Sequence, residues 1–185
     1  MKVWILIFVC MFSMPLLVAV LHFRMRKGQI LKIRQDYVKN ARYFGRSFSA
    51  LVEKALPEMK NGMIMLSRQE KVLETDGKQE FVQPEIEDLV IARNTIFCPQ
   101  QEDLHFQKEI YSEKDALFVK ENIRLRAVYS KKRIVFGNKI RLLRWADAEH
   151  AVAVYDECDL GERVSSGEQL VIGFDNIFHS LYAPV

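Results

Sequence analysis

The chain has 185 residues, of which 49% are hydrophobic and 28% are charged, and it contains three cysteines. This apolar fraction excludes a wholly disordered chain, and so few cysteines exclude a disulfide-dense scaffold. The formal net charge of +3 is unevenly distributed, since residues 1–23 carry +1, residues 24–46 carry +7 and the remaining 139 residues carry −5. The charge distribution therefore predicts three unlike parts.

The first part, residues 1–23, contains the run VWILIFVCMFSMPLLVAVLHF, which has no charged residue. Because about 20 apolar residues cross the hydrocarbon core of a bilayer as a helix, this run predicts an uncleaved transmembrane anchor. The alternative is a cleaved signal peptide, but its apolar region would be unusually long and no A-x-A cleavage site follows. Lysine and arginine are concentrated after the run, which favours a single pass through the inner membrane and a cytoplasmic soluble domain.

The second part, residues 24–60, is predicted to be a basic juxtamembrane neck. Between residues 34 and 57 apolar residues recur every three or four positions, which predicts an amphipathic helix that ends at Pro57. The basic residues expected to contact anionic lipid are Arg24, Arg26, Lys27, Lys32 and Arg34. Each would contribute about 1 kcal/mol near an anionic surface. Packing of the helix on the chain's own soluble domain is the alternative, and the two can coexist.

Residues 61–87 lie between the neck and the repetitive part of the chain. They contain two short β-rich runs separated by Asp76-Gly77, and they also contain Pro84 and several acidic residues. A proline and a concentration of acids are unusual in a core strand. The segment is therefore predicted to be a connecting β-hairpin or a cap.

The last part, residues 88–185, repeats a short β-rich run followed by a polar turn. The aligned aliphatic columns are Leu117, Ile134, Val152 and Leu170, then Val119, Phe136, Val154 and Ile172, and then Ile123, Ile140, Cys158 and Ile177. Successive members lie 17 to 19 residues apart. A pattern that restarts at so short a period indicates a solenoid, and the period leaves room for strands only. We expect a mainly β, short parallel β-helix of four or five coils, with an insertion at 95–103.

The predicted β-helix has surfaces that need a cover. Between the first two columns, the side chains expected to point outward are also apolar, and they are Phe118, Val135, Ala153 and Val171. This outer apolar wall predicts that the neck helix or a partner packs against it. The two ends of a short solenoid also expose unpaired backbone, so we expect a cap or another molecule there.

The period, the alternation and turns such as FGNK, KEN and FDN resemble those of the bactofilins, which are bacterial polymer-forming cytoskeletal proteins. The resemblance covers about residues 88–185 and implies a right-handed β-helix with a triangular core. It also implies end-to-end polymerisation without a nucleotide and, as for some family members, membrane association. It places a self-association contact in the last coil, at Phe178, Leu181 and Tyr182. The chain departs from the family in its fewer coils, its insertion and its strongly basic neck.

No motif indicates an enzyme, a metal site or a cofactor, since the sequence contains no phosphate-binding glycine loop, no G-x-S-x-G elbow and no H-E-x-x-H motif. Asp147, Glu149 and His150 in ADAEH are interpreted as a solvated turn, although they could form an acid–base cluster. The arginines 124, 126, 141 and 144 are interpreted as part of a solvated wall. Nucleic acid is not an expected partner because the repetitive domain is acidic.

The predicted function is that of a membrane-tethered structural scaffold at the inner membrane face. Its β-helix would self-associate into a nucleotide-independent polymer or oligomer. The expected partners are further copies of the chain, the anionic lipid membrane and another membrane or cell-envelope protein. The alternative is a membrane-anchored protein-binding module that does not polymerise. A hexapeptide-type acyltransferase is less favoured, because IRLRAV, IRLLRW and CDLGER place charge or bulk where that fold has a small residue.

Overall fold

The structure is a computed structural model that describes residues 4, 8, 11–15, 17, 18, 40–75 and 78–184. The chain divides into two compact units, Met1–Gln35 and Asp36–Val185. In the first unit, the described residues are helical. The residues predicted to contact lipid, which are Arg24, Arg26, Lys27, Lys32 and Arg34, lie outside the described residues, as does the Asp76-Gly77 turn.

The prediction of a transmembrane helix is corrected by the structure. Among the described residues, no helix is both long enough and apolar enough to span a bilayer. A span needs about 20 apolar residues in one continuous helix. The continuous helical run described at 11–15 is far shorter, and the longest described helix, at Tyr43–Ala55, carries charged side chains. Most of residues 3–23 lie outside the described residues.

Helix α1 spans Tyr43–Ala55 and is followed by a 3₁₀ turn at Leu56–Glu58. It begins later than the predicted start at residue 34, since the described residues 40–42 precede it as a turn. In that turn the Arg42 amide donates to Asn40 Oδ1 at 3.0 Å. The helix is amphipathic as predicted, and the residues buried along its inner side are Gly45, Ser49, Val52 and Ala55.

The rest of the second unit consists of short strands. They are β1 (Met63–Met65), β2 (Gln69–Thr75), β3 (Lys78–Gln79), β4 (Glu85–Ile86), β5 (Leu89–Ala92), β6 (Cys98–Pro99), β7 (His105–Ser112), β8 (Ala116–Phe118), β9 (Arg124–Ser130), β10 (Arg133–Phe136), β11 (Arg141–Ala148), β12 (Ala151–Val154), β13 (Arg163–Ser166), β14 (Gln169–Ile172) and β15 (Leu181–Tyr182). In strands such as β10 and β12, fully buried side chains alternate with more exposed ones, which is the pattern of a strand rather than a helix.

The strands form three sheets that wind around one core. The first has the order β1-β2-β5-β7-β9-β11-β13-β15 with β4 beside β7, the second has the order β14-β12-β10-β8, and the third is β3-β6. Among the described strands β1 and β2 pair antiparallel, whereas the later neighbours pair in parallel. Parallel neighbours that recur once per coil define a β-solenoid, here of about six turns. The predicted mainly β parallel solenoid is confirmed, and its handedness stays a prediction.

Each coil of the central solenoid contributes to three faces. The helix face comprises segments such as 109–112, 127–130, 145–148 and 163–166, the open face comprises β8, β10, β12 and β14, and the short face comprises 85–86, 105–106, 124–125 and 141–142. Strands β7 and β11 pass from the short face to the helix face at register shifts, between Phe106 and Glu109 and between Leu142 and Trp145. The chain therefore turns a corner within each of these strands.

The inward-facing columns differ from the prediction in one coil. Ala116 pairs with Ile134, and Phe118 pairs with Phe136, so the predicted alignment of the first coil was shifted by one residue. Phe118 was predicted on the outer wall and is instead fully buried, while Val119 was predicted in the core and is 53% exposed. A shift of one residue exchanges the two sides of a strand, which is why both positions were reversed together.

The solenoid also begins earlier than predicted. Strand β2 already pairs in parallel with β5, so the segment at 61–87 contributes to the first coil as well as forming the β1-β2 hairpin. Residues 95–103 were predicted to be an insertion, but Phe97 is fully buried and pairs with Ala116 on the open face. These two segments account for the difference between the predicted four or five coils and the observed turns.

Candidate functional site

Helix α1 covers the outer side of the helix face. The outward row on this face runs through Ile91, Tyr111, Tyr129, Asp147, Ser165 and Tyr182, which occupy equivalent positions in successive coils. The ring of Phe48 lies 5.6 Å from that of Trp145 and 6.5 Å from that of Tyr111, in edge-on contacts. The alternative that the neck helix packs on its own domain is therefore confirmed. It packs on a different face from the apolar wall for which a cover was predicted.

A buried ion cluster joins the start of α1 to the helix face. Arg42 Nε donates to Asp147 Oδ1 at 2.7 Å, Arg42 Nη2 donates to the Ala148 carbonyl at 2.9 Å, and Arg42 Nη1 donates to Glu149 Oε2 at 3.1 Å. Ser165 Oγ donates to Asp147 at 2.8 Å. Arg42 and Asp147 are 5% and 1% exposed. Because both charges are out of water and each meets several partners, the pair fixes the position of α1 along the solenoid.

The electrostatics of this cluster follow from its burial. Burial raises the pKa of Asp147 above its ordinary value, although the hydrogen bonds from Arg42 and Ser165 oppose that shift. Burial by itself would lower the pKa of Arg42. The hydrogen bond to Asp147 and the negative charge of Asp147 outweigh this effect, so the pKa of Arg42 is raised. Burial likewise raises the pKa of Tyr129, whose hydroxyl donates to Glu149 at 3.0 Å. The cluster has the features of a structural contact, since its polar groups are satisfied by one another.

The interpretation of ADAEH as a solvated turn was wrong for Asp147. The side chain points outward from the strand, as alternation predicts, but the outward side of this face is covered by α1. Gly45 of α1 lies against the same carboxylate, since a Cβ at this position would collide with the Asp147 side chain. His150, in contrast, is partly exposed and lies 2.7 Å from Glu168, one coil away.

The last coil leaves strand edges without a neighbour among the described residues. Strand β14 pairs with β12 and strand β15 pairs with β13, and each stands last in its sheet. The core is also more exposed in this last coil. Leu170 and Ile172 are partly exposed, whereas the equivalent residues of the preceding coil, Val152 and Val154, are 1% and 3% exposed. The outer edge of this coil therefore presents backbone donors and acceptors together with the end of the apolar core.

Large apolar side chains surround this open end. The exposed ones are Phe174 at 80%, Ile177 at 70%, Phe178 at 52% and Tyr182 at 42%. Of the residues predicted to mediate self-association, Phe178 and Tyr182 are thus accessible, and Leu181 is half-buried against the core. Ile177 was also aligned with a core column, but it pairs with Asp159 on the outward side and is exposed. Several exposed aromatic and aliphatic residues in one place are characteristic of an interaction surface.

The opposite end of the solenoid is covered differently. Strand β1 pairs antiparallel with β2 and so occupies the outer position of the helix-face sheet. Ile64 on β1 is 1% exposed and joins the cluster beneath α1. The ring of Phe81 closes over Phe106 and Phe97 at 5.4 and 6.5 Å. The first coil therefore has side-chain and strand cover that the last coil lacks within the described part of the chain.

The open face has the apolar outer row that was predicted, but with a different first member. Its outward positions are Leu117, Val135, Ala153 and Val171, since Phe118 faces the core. Val171 is 51% exposed, and the other three are partly exposed. No described element lies against this row. It is a second, flatter apolar surface beside the open end.

No family model matches the chain, and no curated protein or solved structure matches it either. What the chain can do must therefore be argued from its surfaces. The open last coil offers unpaired strand edges and apolar side chains, which is the chemistry of strand addition and end-on packing.

Proposed function

We propose that the chain is a structural scaffold, not an enzyme, and that its solenoid self-associates end-on through the last coil without a nucleotide. The observation that supports this is the combination of strands β14 and β15, each paired on one side within the described residues, with exposed Phe174 and Phe178 beside them. Strand edges of this kind pair readily with another chain unless charge, proline or a covering element prevents it.

A second copy of the same last coil is the proposed occupant. An isologous contact brings each strand edge against its own counterpart, and apolar side chains against apolar side chains. Two faces of the coil end in such an edge, β14 on the open face and β15 on the helix face. An isolated strand or helix would cover one of these edges, whereas another solenoid end covers both in register.

The two ends of the solenoid favour a closed pair over an open filament. A filament needs a second contact at the first coil, where β1 already occupies the outer position on the helix face. An isologous contact through the last coil alone closes after two copies. We therefore propose the dimer as the basic unit, and longer assemblies would require a further contact, for which the open face offers Val135 and Val171.

A location at the inner face of the membrane is also proposed, on the composition of the sequence alone. The supporting observation is the +7 charge of residues 24–46. Such a segment attracts anionic headgroups by about 1 kcal/mol per basic residue.

The test is the mass of the full chain, kept soluble in a non-ionic detergent, by sedimentation equilibrium at tens of micromolar. The wild-type chain should sediment as a dimer or larger, whereas Phe178→Glu combined with Tyr182→Glu should give a monomer. Leu143→Glu is the matched control, because Leu143 is 56% exposed and lies on β11, away from both the last edge and the open face. It should leave the mass unchanged.

The circular dichroism of each variant separates loss of assembly from loss of folding. Retained β-rich spectra with a monomeric mass support the proposal, since Phe178 and Tyr182 are exposed and contribute little to the core. A wild-type chain that is monomeric at these concentrations overturns it and favours a non-polymerising binding module that uses the open face.

A further inference from the structure

One row of the short face places two arginines directly opposite each other. By strand register its outward positions in successive coils are Glu85, His105, Arg124, Arg141, Asp159 and Ile177. Neighbouring strands lie about 4.8 Å apart. The register therefore places Arg124 directly opposite Arg141, with His105 as the next member of the row.

Several ion pairs on the solenoid join opposite charges one coil apart. Arg133 contacts Asp115 at 2.6 Å, and Lys139 contacts Glu121 at 2.9 Å. Further pairs of this kind are Arg126 with Glu109, Lys71 with Asp88 and Arg93 with Glu74. Like charges directly opposite each other destabilise a sheet. The pair Arg124–Arg141 therefore carries a repulsion that no ion pair within the described residues relieves, although Asp159 follows Arg141 in the row.

Neither guanidinium is neutralised within residues 40–75 and 78–184. In that part of the chain no ion pair or side-chain hydrogen bond involves Arg124 or Arg141, and both side chains are exposed. The two positive charges therefore face an open groove side by side. A ligand with concentrated negative charge would remove their mutual repulsion.

The groove on the short face has a volume of about 680 Å³ and is rimmed by the corner of each coil. The corner residues have left-handed backbone, with φ between 54° and 59°, and they are Asp103, Asn122, Lys139, Glu157 and Asp175. The left-handed corner recurs in each coil, so Asn122 and Lys139 stand beside the two arginines. The centre of the groove is basic and offers an amide, while both of its ends are acidic.

The acidic ends define how long a ligand can be. Glu85 and Asp103 line one end, and Glu157, Asp159 and Asp175 line the other. A long polyanion such as a nucleic acid strand would meet these carboxylates and be repelled. The favourable part of the groove spans the two arginines and their immediate neighbours.

We propose that Arg124 and Arg141 bind the phosphate group of a small ligand. A phosphate monoester carries up to two negative charges on three oxygens, so it can neutralise two guanidinium groups and accept hydrogen bonds from both, whereas one carboxylate carries a single negative charge on two oxygens. Two arginines one strand spacing apart can therefore share one phosphate between them. The phosphate belongs either to a soluble phosphomonoester or to a lipid headgroup, and the chemistry recognised is the same.

The test is isothermal titration calorimetry of the full chain with inorganic phosphate and with glycerol 3-phosphate. The double variant Arg124→Gln, Arg141→Gln should bind at least about tenfold more weakly, because charge-assisted hydrogen bonds are lost. Arg144→Gln is the matched control, since Arg144 is an exposed arginine outside this groove, and it should bind within about twofold of wild type. The double variant should unfold at the wild-type temperature or slightly above, because a like-charge contact is removed.

Two further arms identify the source of the phosphate. The first is flotation of the chain with phosphatidylcholine vesicles that contain or lack phosphatidic acid. A lipid headgroup is supported if the chain floats only with the vesicles that contain phosphatidic acid, and if less of the double variant than of Arg144→Gln floats with them. Binding of glycerol 3-phosphate without this vesicle difference supports a soluble ligand. Equal binding of citrate and phosphate, or equal loss of phosphate binding in the double variant and in Arg144→Gln, overturns the proposal.

Discussion

On both the helix face and the open face, side chains alternate between the inner and the outer side of the strand. The outward side chains are buried on the helix face but exposed on the open face. On the helix face Tyr111, Tyr129 and Trp145 point outward and are 0%, 3% and 6% exposed. On the open face Val135 is partly exposed and Val171 is 51% exposed. Large aromatic side chains therefore mark the face that α1 covers, and small aliphatic side chains mark the face on which no described element lies. An outward apolar residue is by itself no guide to which face is covered.

The helix face also has a contact that fixes the position of the helix covering it. An aromatic surface holds a helix strongly but permits it to slide or rotate, because apolar contacts are not directional. Arg42 and Asp147 add a directional contact at one end of α1. Breaking a buried ion pair on one side leaves an uncompensated charge, so a wrongly placed helix is disfavoured. The open face has no such contact within the described residues.

The largest expected effect comes from breaking the buried pair. Arg42→Ala should lower the free energy of unfolding by about 3–5 kcal/mol, because Asp147 is then left buried and unpaired. Urea denaturation followed by circular dichroism measures the loss. Arg46→Ala is the control, since Arg46 is an exposed arginine on the same helix, and it should cost about 1 kcal/mol or less.

A second variant tests whether the buried charge causes that loss. Adding Asp147→Asn to Arg42→Ala should recover part of the stability, because the neutral amide costs less to bury than the carboxylate. If Arg42→Ala costs no more than Arg46→Ala, the ion pair does not hold α1 on the helix face. The comparison between the two faces would then rest on aromatic packing alone.

A smaller effect is expected from closing the space between α1 and its face. Gly45 faces Asp147 so closely that a Cβ would collide with that side chain. Gly45→Ala should therefore cost about 1–3 kcal/mol through overpacking, even though alanine favours a helix by about 1 kcal/mol over glycine. The reverse exchange, Ala50→Gly on the exposed side of α1, measures that helix preference alone and should cost about 1 kcal/mol or less. A stabilised Gly45→Ala would mean that α1 does not approach Asp147 this closely.

The sequence predicted the solenoid because its signal is periodic. The step from Ile134 to Val152 is repeated in the observed register, and Ile123, Ile140 and Cys158 of the third column are buried as aligned. The prediction failed where the period is irregular. Ala116 is small enough to be taken for a turn residue, so the predicted alignment of the first coil was shifted by one residue. Phe97 was missed as a core residue because it lies in a segment longer than the repeat period.

The surfaces could be predicted less well than the core. The exposure of Phe178 and Tyr182 follows from their place after the last aligned column. The contact between Arg42 and Asp147 does not, because it joins residues that lie 105 positions apart, and no periodicity links a helix to the strand it covers. The opposition of Arg124 and Arg141 follows from the predicted column of Ile123 and Ile140, since each arginine comes one residue after it. That neither has an ion-pair partner within the described residues could not be predicted from that column.

The smallest expected effect comes from a threonine substitution on the open face, which is compared with the same substitution on the helix face. Ala127 and Ala153 are both outward alanines in strands, but Ala127 is fully buried beneath α1 whereas Ala153 is partly exposed. Ala153→Thr should change the free energy of unfolding by less than about 0.5 kcal/mol, because the hydroxyl keeps its water and threonine suits a strand. Ala127→Thr should cost about 1–3 kcal/mol, since the added atoms must displace the helix or lie unsatisfied beneath it. Equal losses at the two positions, measured by urea denaturation, would show that the open face is covered as tightly as the helix face.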